Sequence, residues 1–369
     1  MQAPGAESLS ARLQTRLSTA ITQAGGWLPF DRFMAMALYE PGLGYYARDS
    51  RQFGALPSSG SDFITAPELS PLFGRTLARA VAQALDAAQA DTVFEFGAGS
   101  GALAEQLLQA LGEGVRCYSI IDLSGALRER QAQRLAPFGS RVQWLDAWPD
   151  AMHGVVVGNE VLDAMPVQLL HFDGAAWQER GVALHAGAFA WADCPTDLRP
   201  PIEGLASGHF VPGSVTEIHP QAEAFIRTLA DRLQRGVAFF IDYGFPEAEY
   251  YHPQRSGGTL MCHRAHQADT NPLVDVGTKD ITAHVNFSAI ALAAQDAGLD
   301  VLGYTSQARF LLNCGLADLL QHADLRARIA AQRLVTEHEM GELFKVLALG
   351  RGVALDPLGF AVGDRMHTL

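Results

Sequence analysis

The run Val93-Phe94-Glu95-Phe96-Gly97-Ala98-Gly99-Ser100-Gly101 joins an apolar stretch to three alternating glycines, with an acid set just before them. Glycines permit a tight strand-to-helix turn and leave room for a ligand to approach the backbone closely. Glu95 stands where it can accept a hydrogen bond beside that turn. Leu103, Leu107, Leu108 and Leu111 then continue as the apolar face of a helix. The chemistry that suits such a turn is the gripping of a nucleoside. A second apolar run, Ser119-Ile120-Ile121-Asp122, also ends in a carboxylate, and Asp122 is placed to accept from both ribose hydroxyls.

Glu95, Gly97, Gly99 and Gly101 follow E-x-G-x-G-x-G, the spacing typical of S-adenosylmethionine-dependent methyltransferases. The same letters admit a rival, because Gly99, Gly101 and Ala104 also fit G-x-G-x-x-A, the dinucleotide fingerprint of Rossmann oxidoreductases. Asp122 serves either ligand and does not decide. Val142-Gln143-Trp144-Leu145-Asp146 leans toward the first, since methyltransferases typically hold the adenine amino group at this strand end. A glycine-rich turn with no ligand is the remaining reading.

Around these residues the chain must build a large core. Its 369 residues exceed what one compact core usually needs, so two domains or one elaborated domain is expected. No apolar run approaches the ~18 residues of a membrane span. A formal charge of −13 argues against a general electrostatic grip on nucleic acid, which requires clustered Lys and Arg. Cys117, Cys194, Cys262 and Cys314 include no C-x-x-C pair, which favours reduced thiols and a cytoplasmic location. Leu9, Leu13, Leu17 and Ile21 form a helical stripe that stops at Gly25-Gly26 and reads as a first docking helix. Arg12 and Arg16 on that stripe also fit a transit peptide, which keeps the mitochondrial matrix as an alternative.

Residues 1–90 read as an N-terminal helical extension with two unusual loops, one ending in Tyr45-Tyr46 and one running from Ser61 to Gly74. In the second loop, Asp62 and Thr65 either cover the cofactor or cap a turn. From residue 92, strands at 92–97, 116–122, 141–145 and 155–158 alternate with helices at 101–111 and 124–136. That alternation demands a parallel sheet with helices on both faces. The pattern resumes with a helix at 220–234, a strand at 237–242, a helix at 287–297, a strand at 300–307, helices at 315–338 and a strand at 344–349. Residues 91–351 thus form an α/β domain with a seven-stranded Rossmann-like methyltransferase sheet. It carries insertions at about 167–216, 245–285 and 308–340, the first of them antiparallel. Residues 352–369 are a tail.

Several strings together resemble the MidA family: GYY at 44–46, DFITAPELSPLFG at 62–74, GNEVLDAMPV at 158–167, WQERGV at 177–182, IDYG at 241–244, DITAHVNF at 280–287 and FKVLALG at 344–350. The resemblance covers residues 28–350. It implies a methyltransferase sheet whose last strand inserts antiparallel, S-adenosyl-L-methionine as cofactor, and protein-arginine N-methylation. The implied protein substrate is the 49-kDa-type subunit of respiratory complex I during assembly. Departures are visible: Ala98 and Ser100 stand where the family more often has Pro and Arg, and Asn286 stands where Asp is usual. Asn286 puts a carboxylate role at that point in doubt. A small-molecule methyltransferase and an adenosylmethionine-binding assembly chaperone with little turnover are the alternatives.

Methyl transfer from a sulfonium is an in-line displacement, so an enzyme supplies alignment and a dry site. A guanidinium acceptor, with a pKa above ~12, needs a carboxylate to orient it and accept its proton. Glu160 and Asp163 follow the fourth strand three residues apart, at the sheet edge where α/β ligands sit. On one turn of helix both would face the same guanidinium, or else one of them caps the following helix. Asn159, beside them, is assigned to the cofactor. His284 either moves a proton or lines the acceptor channel, unless it is a hydrogen-bonded core histidine. Cys262, His263 and His266 match no standard zinc spacing, and no metal is assigned. Tyr45, Tyr46, Tyr243 and Trp144 either border the adenine or sulfonium or simply pack.

Overall fold

The computed structural model describes residues 8–47, 64–122, 125–202, 209–264 and 267–369. In chain order the strands are β1 (Trp27–Pro29), β2 (Thr92–Phe96), β3 (Cys117–Ile121), β4 (Val142–Leu145), β5 (Met152–Asn159), β6 (Gln168–Phe172), β7 (Trp177–His185) and β8 (Ala188–Pro195). They continue with β9 (Val215–Ile218), β10 (Leu233–Phe245), β11 (Met261–Arg264), β12 (Gln267–Asp269), β13 (Asp280–Thr282), β14 (Val285–Asn286), β15 (Asp300–Ser306) and β16 (Phe344–Arg351).

The main sheet runs β15-β16-β10-β5-β2-β3-β4, with the two-residue β14 added beside β10. β5, β2, β3, β4 and β10 pair in parallel, while β16 lies antiparallel between β10 and β15. This is the arrangement expected from the sequence, a mostly parallel α/β sheet with its last strand inserted in reverse. Alternation along each strand divides the core in two. Val93, Val155, Val157, Val237 and Phe239 face a cluster with the helices Pro71–Ala88 and Ala102–Leu111. Phe94, Val156, Ala238 and Phe240 face another with the helices Pro220–Arg232 and Phe287–Asp296. Strands apolar on both faces need helices on both sides, which is why β5 reads Gly-Val-Val-Val-Gly.

The excursion after β5 does not stand apart. Its antiparallel sheet, β1-β7-β6-β9 with β8 beside β7, takes one strand from the N-terminal extension. The small sheet β12-β11-β13 lies nearby in the same apolar cluster, which gathers Leu13, Leu17 and Ile21 of the first helix with Leu169, Val182, Cys262 and Ile281. Segments distant in sequence therefore share one third core. The helix Phe30–Tyr39 and the turn after it carry Tyr39 and Tyr46 from this unit to the carboxyl edge of the main sheet.

Candidate active site

The turn after β2 is built on three left-handed residues: Gly97 at φ +63°, Gly99 at +53° and Gly101 at +80°. Side chains other than glycine are disfavoured at each. Gly101 precedes the helix Ala102–Leu111, whose first amides and positive dipole end are thereby turned toward the sheet edge. Gln131 braces the turn. Its Nε2 donates to the Gly99 carbonyl and to Asp122 Oδ2, both at 2.9 Å, and its Oε1 accepts from Trp144 at 2.9 Å. Beneath the turn, Glu95 is 2% exposed and accepts from the Tyr118 hydroxyl at 2.7 Å. Burial pushes the Glu95 carboxyl up to about 8.

A cavity of about 1060 Å³ opens at this edge. Glu95, Gly97, Gly99, Asp122 and Asn159 line one part of it; Glu160, Asp163, Asp280, His284 and Tyr243 line another. Gly101 sits behind the wall, at the helix start. Asp146 does not reach the cavity, contrary to the expectation for an adenine contact. Its side chain is 86% exposed and pairs with Arg128 at 2.6 Å. The helix Gly125–Leu135 presents a guanidinium to that strand end, so the carboxylate turns outward to it. Asp62 lies outside the described residues. Thr65 lines the cavity and makes no capping bond with its side chain. Its loop is fastened to the glycine turn by Glu68, which accepts from Ser100 and from Arg134, the latter at 2.8 Å.

No regular helix follows β5. Residues 160–165 form an irregular turn, and neither Glu160 nor Asp163 caps it. That role falls to Asp242 in the last part of β10, whose Oδ2 accepts from the amides of Val161 at 3.1 Å and Leu162 at 2.9 Å. Glu160 itself sits at φ +54°, a strained conformation for a side-chain-bearing residue. Its carboxyl accepts from Asn159 Nδ2 at 3.1 Å and from the Ala66 amide, and it is pushed up to about 8 by burial and by Asp163. Asp163 is 4% exposed, with Oδ1 lacking a hydrogen-bond partner among the described residues. Burial raises its pKa against the hydrogen bond of Tyr243. Neither acid makes an ion pair among the described residues.

His284 packs against the rings of Tyr243 and Phe245. Burial, with Arg255, Lys345 and His263 nearby, lowers its pKa to about 4. The imidazole is thus neutral near pH 7 and a weaker base than Glu160. Asn286 caps the helix Phe287–Asp296 through the Ala289 amide at 3.2 Å, a task an amide oxygen performs as well as a carboxylate. Tyr46 and Tyr243 line the cavity, whereas Tyr45 is buried in the third core and Trp144 lies behind Asp122. Among the described residues no three His, Cys, Asp or Glu side chains are grouped to hold a metal; His266 lies outside them.

Residues 75–305 match a family described as S-adenosyl-L-methionine-dependent methyltransferase. The chain belongs to that family, the MidA type. A crystal structure of a member from Burkholderia thailandensis, bound to S-adenosyl-homocysteine, is 52% identical and superposes over 100% of both chains with a TM-score of 0.94. Among curated MidA-type relatives, the Drosophila melanogaster "Protein arginine methyltransferase NDUFAF7 homolog, mitochondrial" is 28% identical over 94% of this chain and 87% of its own. The Danio rerio protein arginine methyltransferase NDUFAF7 is 24% identical over 88% of this chain and 84% of its own. No helix among the described residues is long and apolar enough to cross a membrane.

The protein is an S-adenosylmethionine-dependent methyltransferase, and its residues fit that cofactor. The glycine turn leaves backbone open to the nucleoside, Asp122 ends β3 at the cavity, and Asn159 Oδ1 is buried there without a partner among the described residues. When bound, the cofactor supplies a sulfonium methyl open to in-line displacement. Sequence reasoning missed Asp242, Asp280, Gln131 and the Glu68–Arg134 brace. The signals for Asp242 were its place as an acid ending the apolar run Val237–Ile241 and its position in the string IDYG at 241–244.

Proposed function

We propose that this enzyme is a protein-arginine N-methyltransferase whose acceptor is an arginine of the 49-kDa-type subunit of respiratory complex I. One observation carries the arginine assignment: Glu160 and Asp163 stand together on the cavity wall, buried enough to raise both pKa values, with no cation paired to them among the described residues. Two shielded acids side by side favour a cationic guest, and a guanidinium offers several donors in one plane.

In this reading Glu160 and Asp163 orient the guanidinium and localise its charge on the nitrogens that do not react. The reacting nitrogen forms its bond to the methyl carbon as the carbon–sulfur bond breaks, its electron pair leaving with sulfur. The proton released from that nitrogen passes to Glu160 in its ionised form, which burial makes a stronger base than an ordinary carboxylate. His284 stays neutral and closes the acceptor side against water. The names of the curated relatives support arginine as the acceptor residue.

Incubation of the enzyme with a methyl-labelled donor and the purified 49-kDa-type subunit, followed by peptide mass mapping, tests the assignment. Label on one arginine is the expected result. With a lysate added in a parallel incubation, label confined to small molecules would point to a low-molecular-weight acceptor, and retained cofactor without transfer to an assembly chaperone.

A further inference from the structure

Asp280 begins β13 in the small sheet that packs with the N-terminal helices, yet its side chain, 3% exposed, lines the same cavity as Glu160 and Asp163. Its neighbour Lys279 is turned onto Asp269 at 2.7 Å. Two independent ties fix Asp280 relative to Asp163. The Tyr46 hydroxyl donates to Asp280 Oδ1 at 2.8 Å; Tyr46 stacks on Tyr39 with ring centres 5.6 Å apart; and the Tyr39 hydroxyl donates to the carbonyl of Ala164 at 2.8 Å. From the other side, the Ala283 amide donates to the Asp163 carbonyl at 3.0 Å. A buried carboxylate oriented this firmly is preorganised rather than adaptable. Its neighbour Asp163 keeps a buried Oδ1 without a hydrogen-bond partner on the same wall.

We propose that Asp280, oriented by Tyr46, is a substrate-binding residue that takes a second edge of the guanidinium held by Glu160 and Asp163. This selects arginine over lysine, and it rests on the arginine reading above. A guanidinium presents five N–H donors in a rigid plane and can meet acceptors on separate chain segments at once. A primary ammonium has three donors on a single nitrogen, so it cannot span acceptors set apart along a plane.

The variant Asp280→Asn keeps an oxygen to accept from Tyr46 while removing the charge and turning the second acceptor oxygen into an NH2 donor. With labelled donor and the purified 49-kDa-type subunit, KM for the subunit is expected to rise at least about tenfold. Its kcat falls by a smaller factor than KM rises, and the affinity for S-adenosyl-homocysteine is retained. Tyr46→Phe should raise KM in the same direction by less, and it decides the question should Asp280→Asn fail to bind the homocysteine product. An unchanged KM in a variant that binds the product normally, while the wild type methylates arginine, overturns the role of Asp280 alone. A wild type that labels no arginine overturns the arginine reading and this inference with it.

Discussion

Asp242 holds Asp163 by its main chain. The same Oδ2 atom that accepts from Val161 and Leu162 lies 3.4 Å from the Asp163 amide, so one buried carboxylate shapes the turn that presents both site acids. Asp242→Ala leaves those amides without an acceptor and is expected to destabilise the fold by ~1–3 kcal/mol and to depress methyl transfer. Asp242→Asn retains an accepting oxygen and should recover most of the stability. Thermal unfolding of the two variants, read beside kcat, checks the order; equal losses in both would show that charge, not acceptance, matters there.

Glu160→Gln keeps the shape of the side chain and its bond from Ala66 but cannot take a proton. Transfer should fall by roughly 10²–10⁴ while S-adenosyl-homocysteine affinity is retained. Calorimetry and single-turnover rates separate the two quantities. An undiminished rate with intact affinity would remove Glu160 from the chemistry.

The raised carboxyls give the pH dependence a definite sign. Glu160 is protonated below about 8 in the free enzyme, so kcat/KM should climb with pH through that region, and the limb should vanish in Glu160→Gln. Glu95 is likewise raised to about 8 from an ordinary 4.5, so the folded chain binds its proton more tightly than the unfolded one. The stability this group contributes is complete below 4.5 and is lost as pH rises through about 8. Denaturant melts of the ligand-free protein should show that decline, and Glu95→Gln should flatten it.

Gly97→Ala forces a Cβ into the left-handed region, at a cost of ~1–2 kcal/mol. It also brings that atom within 3.1 Å of Val161 Cγ2. Affinity for S-adenosyl-homocysteine should drop by about tenfold or more, measurable by calorimetry, since the turn must shift where the nucleoside lies against it.

The main sheet was legible in the sequence because its strands are short apolar runs and its helices carry an apolar stripe. Both signals are local, and so was the glycine turn. What escaped depends on partners far along the chain. Asp146 ends a strand just as Asp122 does, but Arg128 draws it outward and Gln131 draws Asp122 inward. No strand-end rule distinguishes them. The sequence at Asn159–Asp163 fits either a helical turn facing one guanidinium or a cap on a following helix, and the structure has neither. The turn's true form is imposed by Asp242, about eighty positions later. The shared core of the first helix and the inserted sheet was hidden for the same reason.

The strand β16 lies between β10 and β15, and its first residue, Phe344, lines the cavity. During synthesis, the half of the sheet that seats the nucleoside emerges from the ribosome well before this strand does. The gap beside β10 stays open until residues 344–351 have been translated, so the nascent protein exposes unpaired backbone along β10 up to that point. A truncation before residue 344 should therefore fail by aggregation, even though the glycine turn and Asp122 are already present.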